Sequence, residues 1–489
     1  MYTVFNLINL DKLTKWFYIN DQFSYLGFSA YLLLGYCLFV IIFTLIAHKF
    51  TTKLVAIILI VISTFVSYFI LKYNIAFDTS MLLNTIYTNS SEVFPLASTQ
   101  MIPYIIFLLF IPIIAILKVN IIYNNKFLHI LKALAIIVFT FLIALASIYS
   151  SFKELHRAGN LSNKYILYSL VPLNYLTATI DVIKKNIILP LMGDEIGKDK
   201  KIVATITKKD DLVVVLAIGE GIRQKNLNLY GYTRNNTTPL LSQVDGLYSL
   251  NGIARLGSTL YALKEILRKD DVKLTHITDS VGIDTKCYVN FSMYDNCSVG
   301  ETHAKPNKKN ETYDEEVIPM LKKNIDTYKD SYRFIALHLG AGAHGPVYSN
   351  RYPKSFQKFM PMCTDPDILH QCSEEERYNA YDNAMLYQDY TINKILKTLE
   401  DSSIPYVFIF ISDHGESLGE NGYVFHGMPP GMTLPKEQAE VALLVKSSIP
   451  IKIVKREKYT QPDIFDTILD LFSIQIDGFN KDGSFIKKL

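Results

Sequence analysis

The run Ile411 to Pro429, I-S-D-H-G-E-S-L-G-E-N-G-Y-V-F-H-G-M-P, sets a carboxylate beside an imidazole at Asp413 and His414 and adds a second imidazole at His426. Mixed oxygen and nitrogen donors of this kind suit a divalent metal, zinc above all. The run follows Tyr406 to Ile411, Y-V-F-I-F-I, an apolar stretch that reads as a buried parallel strand. Asp413 and His414 then fall at a strand's C-terminal end, where open α/β sheets hold their ligands. The glycines let the backbone approach such a site closely. A polar surface loop is the plain alternative for any one of these residues; the full run speaks against it.

Further apolar runs end in groups of the same kind. Asp211 to Gly219 is followed by Glu220 and then Arg223, and Phe334 to Leu339 leads into G-A-G-A-H-G-P with His344. Val441 to Lys446 is a fourth strand, and helical patterns lie between, at Gly257 to Leu267 and Arg377 to Leu399. Alternating strands and helices imply an α/β sandwich with a mainly parallel central sheet between helices. Gly257-Ser258-Thr259 offers a hydroxyl at a helix start, where free N–H groups and the dipole favour a phosphate. From the residues alone, Thr259 is either a nucleophile next to a metal or a simple N-cap.

These elements sit in the last three-fifths of a chain of 489 residues, long enough for two or three domains. A net charge of only +3 gives no sign of a nucleic-acid partner, while 49% hydrophobic residues is high for a soluble enzyme. The excess lies in four apolar segments of bilayer-spanning length, about Tyr25 to Ala47, Leu54 to Leu71, Ile102 to Leu117 and Leu128 to Tyr149. Lysines flank the first–second connection (Lys49, Lys53) and the third–fourth (Lys118, Lys126, Lys132), whereas past the border residue Lys72 the intervening loop carries only Asp78 and Glu92 as charges. The positive-inside rule then puts that loop, residues 73–101, and everything after Tyr149 outside the cytoplasm. The expected organisation is a transmembrane domain at 1–150, a linker with interfacial amphipathic helices at 151–200, and an exported catalytic domain at 201–489. Cysteines agree with export: Cys287 with Cys297, and Cys363 with Cys372, read as two local disulfides, although four cysteines allow three connectivities. A zinc site made from all four lacks C-x-x-C spacing. Val299 to Glu315 is polar and lysine-rich and reads as an exposed insertion.

Taken together, the segments V-V-V-L-A-I-G-E, N-L-Y-G-Y-T-R-N-N-T-T-P-L-L, G-S-T, H-G-P-V-Y-S-N-R-Y-P, Y-D-N-A-M-L-Y-Q-D-Y, S-D-H-G-E-S-L-G-E-N-G and H-G-M-P resemble the lipid A phosphoethanolamine transferases, a family that includes the mobile colistin-resistance enzymes. Their catalytic domain is similar to the alkaline phosphatase and sulfatase superfamily. The resemblance implies that Glu220, Thr259, Asp413 and His414 hold one catalytic Zn2+, that Thr259 is the nucleophile, and that His344 and His426 contact the substrate phosphate or a second zinc present during turnover. It also implies that Asn84, Thr88 and Glu92, spaced by four and four along one helix face, grip the ethanolamine lipid. Three departures stand out. Arg255-Leu256-Gly257 replaces the family's cysteine-containing approach to the threonine. The segment Thr275 to Cys297 lacks the family's Asp-Asn-rich stretch before its Cys-Lys-containing loop, and Lys286 beside Cys287 is a loose candidate for a phosphate contact. The family's first of five spans is not seen, the chain starting about where that helix would end.

The implied activity is zinc-dependent transfer of phosphoethanolamine from phosphatidylethanolamine to lipid A, or another lipopolysaccharide or periplasmic acceptor, with release of diacylglycerol. The enzyme is expected to be a monomer in the bacterial inner membrane, its catalytic domain in the periplasm among membrane lipids. The rivals are a phosphoglycerol transferase or phosphohydrolase on the same fold, and a non-catalytic membrane-anchored binding protein. A sulfatase is disfavoured, because Leu260 and Tyr261 follow Thr259 where a C/S-x-P-x-R maturation motif would be needed.

Overall fold

A computed structural model describes the chain except residues 1, 8–9, 11–13, 15–16, 20–21, 74, 88–98, 123–124, 162–167, 185–203, 208–210, 306–312, 328–331, 341, 429 and 477–480. It divides into two compact units, Met1–Leu191 and Met192–Leu489.

In the first unit four helical stretches are long and apolar enough to cross a membrane. They are α1 (Tyr25–Ile46), α2 (Thr52–Tyr73), α3 (Met101–Lys118) and α4 (Lys126–Leu161). Large apolar side chains such as Phe107, Phe139 and Leu142 point outward, which water would penalise and hydrocarbon would not. The fourth helix runs beyond the expected end at Tyr149, with non-helical backbone at Ser151. Within the stretch expected as a linker, α5 (Leu173–Ile183) packs into the bundle. Its Tyr175 hydroxyl pairs with Ser63 at 3.1 Å and donates to the carbonyl of Leu59 at 3.3 Å, both on α2. Asn84 lies in a short helix, Thr79–Tyr87, whose start is capped by Asp78 accepting from the Met81 N–H; Thr88 and Glu92 lie outside the described residues.

The second unit is built on an eight-stranded sheet. Its strands are β1 (Val213–Gly219), β2 (Tyr248–Ile253), β3 (Asp284–Val289), β4 (Glu301–His303), β5 (Arg333–Leu339), β6 (Tyr406–Ser412), β7 (Glu440–Ser447) and β8 (Tyr459–Thr460). They lie in the order β8-β2-β7-β6-β1-β5-β3-β4. The sheet is mainly parallel, as expected, but β7 runs antiparallel to both β6 and β2. The continuous apolar runs of β1, β5 and β6 follow from burial on both faces, every residue of each being buried. On one face Leu216, Ile218, Ala336, Ile409 and Ile411 join Leu263 and Ile266 of α6 (Thr259–Leu267) and Ile464 and Phe465 of a further helix, Pro462–Leu471. The long helix α7 (Glu374–Glu400) is started by a Ser373–Glu376 capping box.

Register decides where the chemistry sits. Gly219 pairs with both Leu339 and Ser412, so three parallel strands end at one level and the next residues, Glu220 and Asp413 among them, share a rim. Disulfides join Cys287 to Cys297 and Cys363 to Cys372, and Cys37 is a buried free thiol. The segment expected as an exposed insertion is partly structural: Glu301–His303 forms the edge strand β4, and Asp314 is fully buried. A lysine-rich composition hid one buried carboxylate.

Candidate functional site

Glu220, Thr259, Asp413 and His414 meet at the strand ends. The Thr259 hydroxyl donates to Glu220 Oε2 at 3.0 Å and lies 3.3 Å from His414 Nε2. The same nitrogen is 3.1 Å from Glu220 Oε1 and 3.2 Å from Asp413 Oδ2. Ser258, not Thr259, is the N-cap residue of α6; Thr259 is its first helical residue, and its hydroxyl turns away from the helix toward the carboxylate. The side chain is therefore placed in the cluster rather than spent on capping.

Backbone groups pin Asp413 and His414, and the Glu416 side chain orients His426. Asp413 Oδ1 accepts from the N–H groups of Gly221 (3.0 Å) and His414 (2.7 Å). His414 Nδ1 is 3.0 Å from the Gly415 carbonyl, so it donates there and leaves Nε2 facing Thr259. Gly415 has no room for a side chain, since a Cβ would lie 2.1 Å from the Glu437 carbonyl oxygen. His426 Nδ1 donates to Glu416 Oε1 at 2.8 Å, which turns Nε2 toward the site. Its ring stacks on His414 at 3.9 Å between centroids and meets His344 edge-on at 4.8 Å. Arg351 donates to the His344 carbonyl at 2.9 Å and approaches its Nδ1 at 3.3 Å.

The charges explain what the cluster wants. Burial, then Glu220, push Asp413 up to about 6. Burial works against a charge on His414, yet Asp413 and Glu220 raise it to about 10. Burial lifts Glu416 to about 8 and, followed by neighbouring charges, holds His344 and His426 well below the usual imidazole range. Glu220 Oε1 and Asp413 Oδ2 are buried and make no well-formed hydrogen bond, sharing only the single nitrogen of His414 among the described residues. One imidazole proton cannot serve several converging oxygens, whereas a cation can. A Glu220 oxygen and ring nitrogens of His414 and His426 also lie within 4.8 Å of one another. The donor set fits a divalent metal of zinc type.

Other expectations fare differently. Lys286 pairs with Asp284 at 2.8 Å, half-exposed in the first half of β3 and opposite Ile335; the register leaves it below the rim that carries Glu220 and Asp413. Unforeseen were Glu416 behind His426 and the role of Arg223, which is fully buried and donates to the Glu416 carbonyl and to Glu420, each at 2.8 Å. Tyr381 of α7 donates to the Gly221 carbonyl at 2.6 Å. The signal for Arg223 was its place three residues after Glu220; its partners come from a segment nearly two hundred residues away, which spacing does not reveal.

A family model described as phosphoethanolamine transferase EptA/EptB matches residues 36–187, and a sulfatase model matches residues 279–474. The phosphoethanolamine transferase EptA of Helicobacter pylori is 29% identical over 439 residues, covering 85% of this chain and 81% of the relative. The phosphatidylethanolamine transferase Mcr-1 of Escherichia coli is 26% identical, with 99% and 94% covered. Among solved structures, the integral membrane lipooligosaccharide phosphoethanolamine transferase A (EptA) of Neisseria meningitidis shares the fold, with a TM-score of 0.82 at 24% identity over 98% of this chain and 93% of that one.

Two outcomes follow from the charges. Burial alone would raise Glu420, but Arg223 overrides it and holds the carboxyl at about 2. The stabilisation is therefore present above the ordinary glutamate range and fades as pH falls toward 2. Glu420→Gln should cost roughly 3–5 kcal/mol at pH 7 in denaturant titrations, because it strands a buried guanidinium, and the gap to wild type should close in acid. Metal analysis of the purified chain should find about one zinc, with Glu220→Gln lowering the occupancy at least tenfold.

Proposed function

We propose that this chain, similar to the phosphoethanolamine transferases EptA and Mcr-1, is itself such an enzyme and moves phosphoethanolamine from phosphatidylethanolamine to lipid A through Thr259. The observation that carries this reading is the Thr259 hydroxyl, 3.0 Å from Glu220 and 3.3 Å from His414 at the start of α6.

Thr259 Oγ attacks the phosphorus of the donor and gives its proton to the acceptor it already faces, Glu220. The bond to the glyceryl oxygen breaks, that oxygen takes the proton from Glu220, and diacylglycerol leaves. The group is left on Thr259 as a phosphoethanolamine ester. A lipid A phosphate oxygen then attacks the same phosphorus, the bond to Thr259 Oγ breaks, and the acceptor's proton passes by way of Glu220 to Oγ, restoring the hydroxyl. His426, oriented by Glu416, and His344, held by Arg351, face the phosphoryl oxygens as neutral imidazoles that donate and accept protons. The N-terminus of α6 adds N–H groups and a dipole favourable to the anion. Zinc held by Glu220, Thr259, Asp413 and His414, with His426 in reach, would lower the hydroxyl's pKa and offset phosphoryl charge. Asn84, Thr88 and Glu92 would bind the ethanolamine lipid.

Donor and acceptor both reside in membranes, which accounts for an anchor of four spanning helices on a catalytic unit in the periplasm, acting as a monomer in the inner membrane. The product carries an added amine, so the lipid attracts cationic peptides such as polymyxins less.

Mass spectrometry of lipid A from cells expressing the chain should show addition of one phosphoethanolamine. Thr259→Ala should abolish it, at least about a thousandfold, with unchanged expression and fold. Full modification by that variant would refute the nucleophile.

A further inference from the structure

The transfer chemistry makes no use of a polar network packed behind the loop that follows β5. Asp314, 0% exposed, accepts three N–H groups. Asn290 Nδ2 reaches its Oδ1 at 2.6 Å; the Gly342 N–H and Gln388 Nε2 reach Oδ2 at 2.8 and 2.6 Å. Asn290 Oδ1 in turn accepts from the Gly340 N–H at 2.7 Å. Two linked side chains therefore hold two backbone N–H groups of one loop, with Gln388 of α7 as the brace.

The far side of that loop touches the reacting groups. Ala343 N–H donates to the Glu220 carbonyl at 2.9 Å. Gly342, at φ +41°, has no clearance: a Cβ there would lie 2.2 Å from the Glu220 carbonyl oxygen and 2.5 Å from its Cβ. His344 comes next, its ring 4.8 Å from that of His426. Any shift of Gly342 moves Glu220 or breaks the Ala343 bond, and carries His344 with it.

The geometry points to Asp314 as a positioning residue: with Asn290 and Gln388 it fixes the loop that seats Glu220 and delivers His344. This rests on the centre being the catalytic one. A charged acceptor suits the task, since each of its bonds is charge-assisted and shielded from water.

An exchange of side chains tests it on the full-length protein. Asp314→Asn turns one acceptor into a donor facing Asn290 or Gly342. The double variant Asn290→Asp/Asp314→Asn restores every donor–acceptor pair. The amide introduced at position 314 then donates to the acid introduced at position 290, while its oxygen receives Gly342 and Gln388. Zinc affinity is read by competition with a chromophoric chelator, and kcat and KM with phosphatidylethanolamine. The single variant should lose about 10–100-fold in zinc affinity and in kcat, with KM changed less. The double variant should return both to within about threefold of wild type. A folded Asp314→Asn protein with wild-type affinity and kcat overturns the proposal, as does one that loses only Tm. A double variant that fails to fold, or folds without recovery, overturns it too. If wild type itself transfers nothing from the lipid, the functional reading falls, while the zinc arm still judges the loop.

Discussion

Two carboxylates buried at the ends of neighbouring parallel strands, with one imidazole nitrogen between them, are the constraint on which the catalytic unit depends. Glu220 and Asp413 are carried there by strands whose register is locked from Val213 to Gly219 and from Tyr406 to Ser412. Their separation follows from strand spacing rather than from loop adjustment. Burial makes the negative charge expensive, and the Glu220 and Asp413 oxygens, which share the single nitrogen of His414, leave it only partly balanced. A protonated His414 offsets part of it; a divalent cation would offset all of it. Thr259 enters the same cluster from α6, where a bound divalent cation would lower the cost of removing the proton from its hydroxyl.

The surrounding layers keep that unfavourable arrangement from relaxing. Gly221 and His414 amides hold Asp413, and Ser412 Oγ accepts from the Ile222 N–H at 2.8 Å, closing the turn after β1. Arg223 lies between the rings of Tyr378 and Tyr381 at about 5 Å (5.3 and 5.1 Å to the centroids) and ties the Glu416 loop down. Glu416 orients His426 as Arg351 holds His344. These supporting groups lie behind the metal-type donors, and they set direction rather than perform chemistry.

Much of this was legible because the strand runs are long, uniformly apolar and end in Glu220, the His344 loop and Asp413–His414. Period and burial say where such strands stop, so the rim follows. The family resemblance brought Thr259 into the set; composition alone left it between cap and nucleophile, and the turn of its hydroxyl toward Glu220 places it with the carboxylates. The antiparallel course of β7 was not legible, since an apolar run has no direction. Nor was Asp314, because one buried acid in a lysine-rich stretch carries no periodic signal. Lys286 falls below the rim for a geometric reason: adjacency to Cys287 in sequence says nothing of its depth along the strand. In the membrane unit, apolar length located α1 to α4, but the docking of α5 through Tyr175 onto Ser63 depends on a tertiary hydrogen bond no pattern encodes.

The proposed mechanism requires Thr259 to take the phosphoethanolamine group before any acceptor does. Purified full-length protein incubated with phosphatidylethanolamine and no acceptor, then digested and sequenced by mass spectrometry, tests it most directly. The expected result is one phosphoethanolamine on the peptide containing Thr259, localised to that residue and removed on adding lipid A. An unmodified Thr259 in protein that still releases diacylglycerol and modifies lipid A would contradict it.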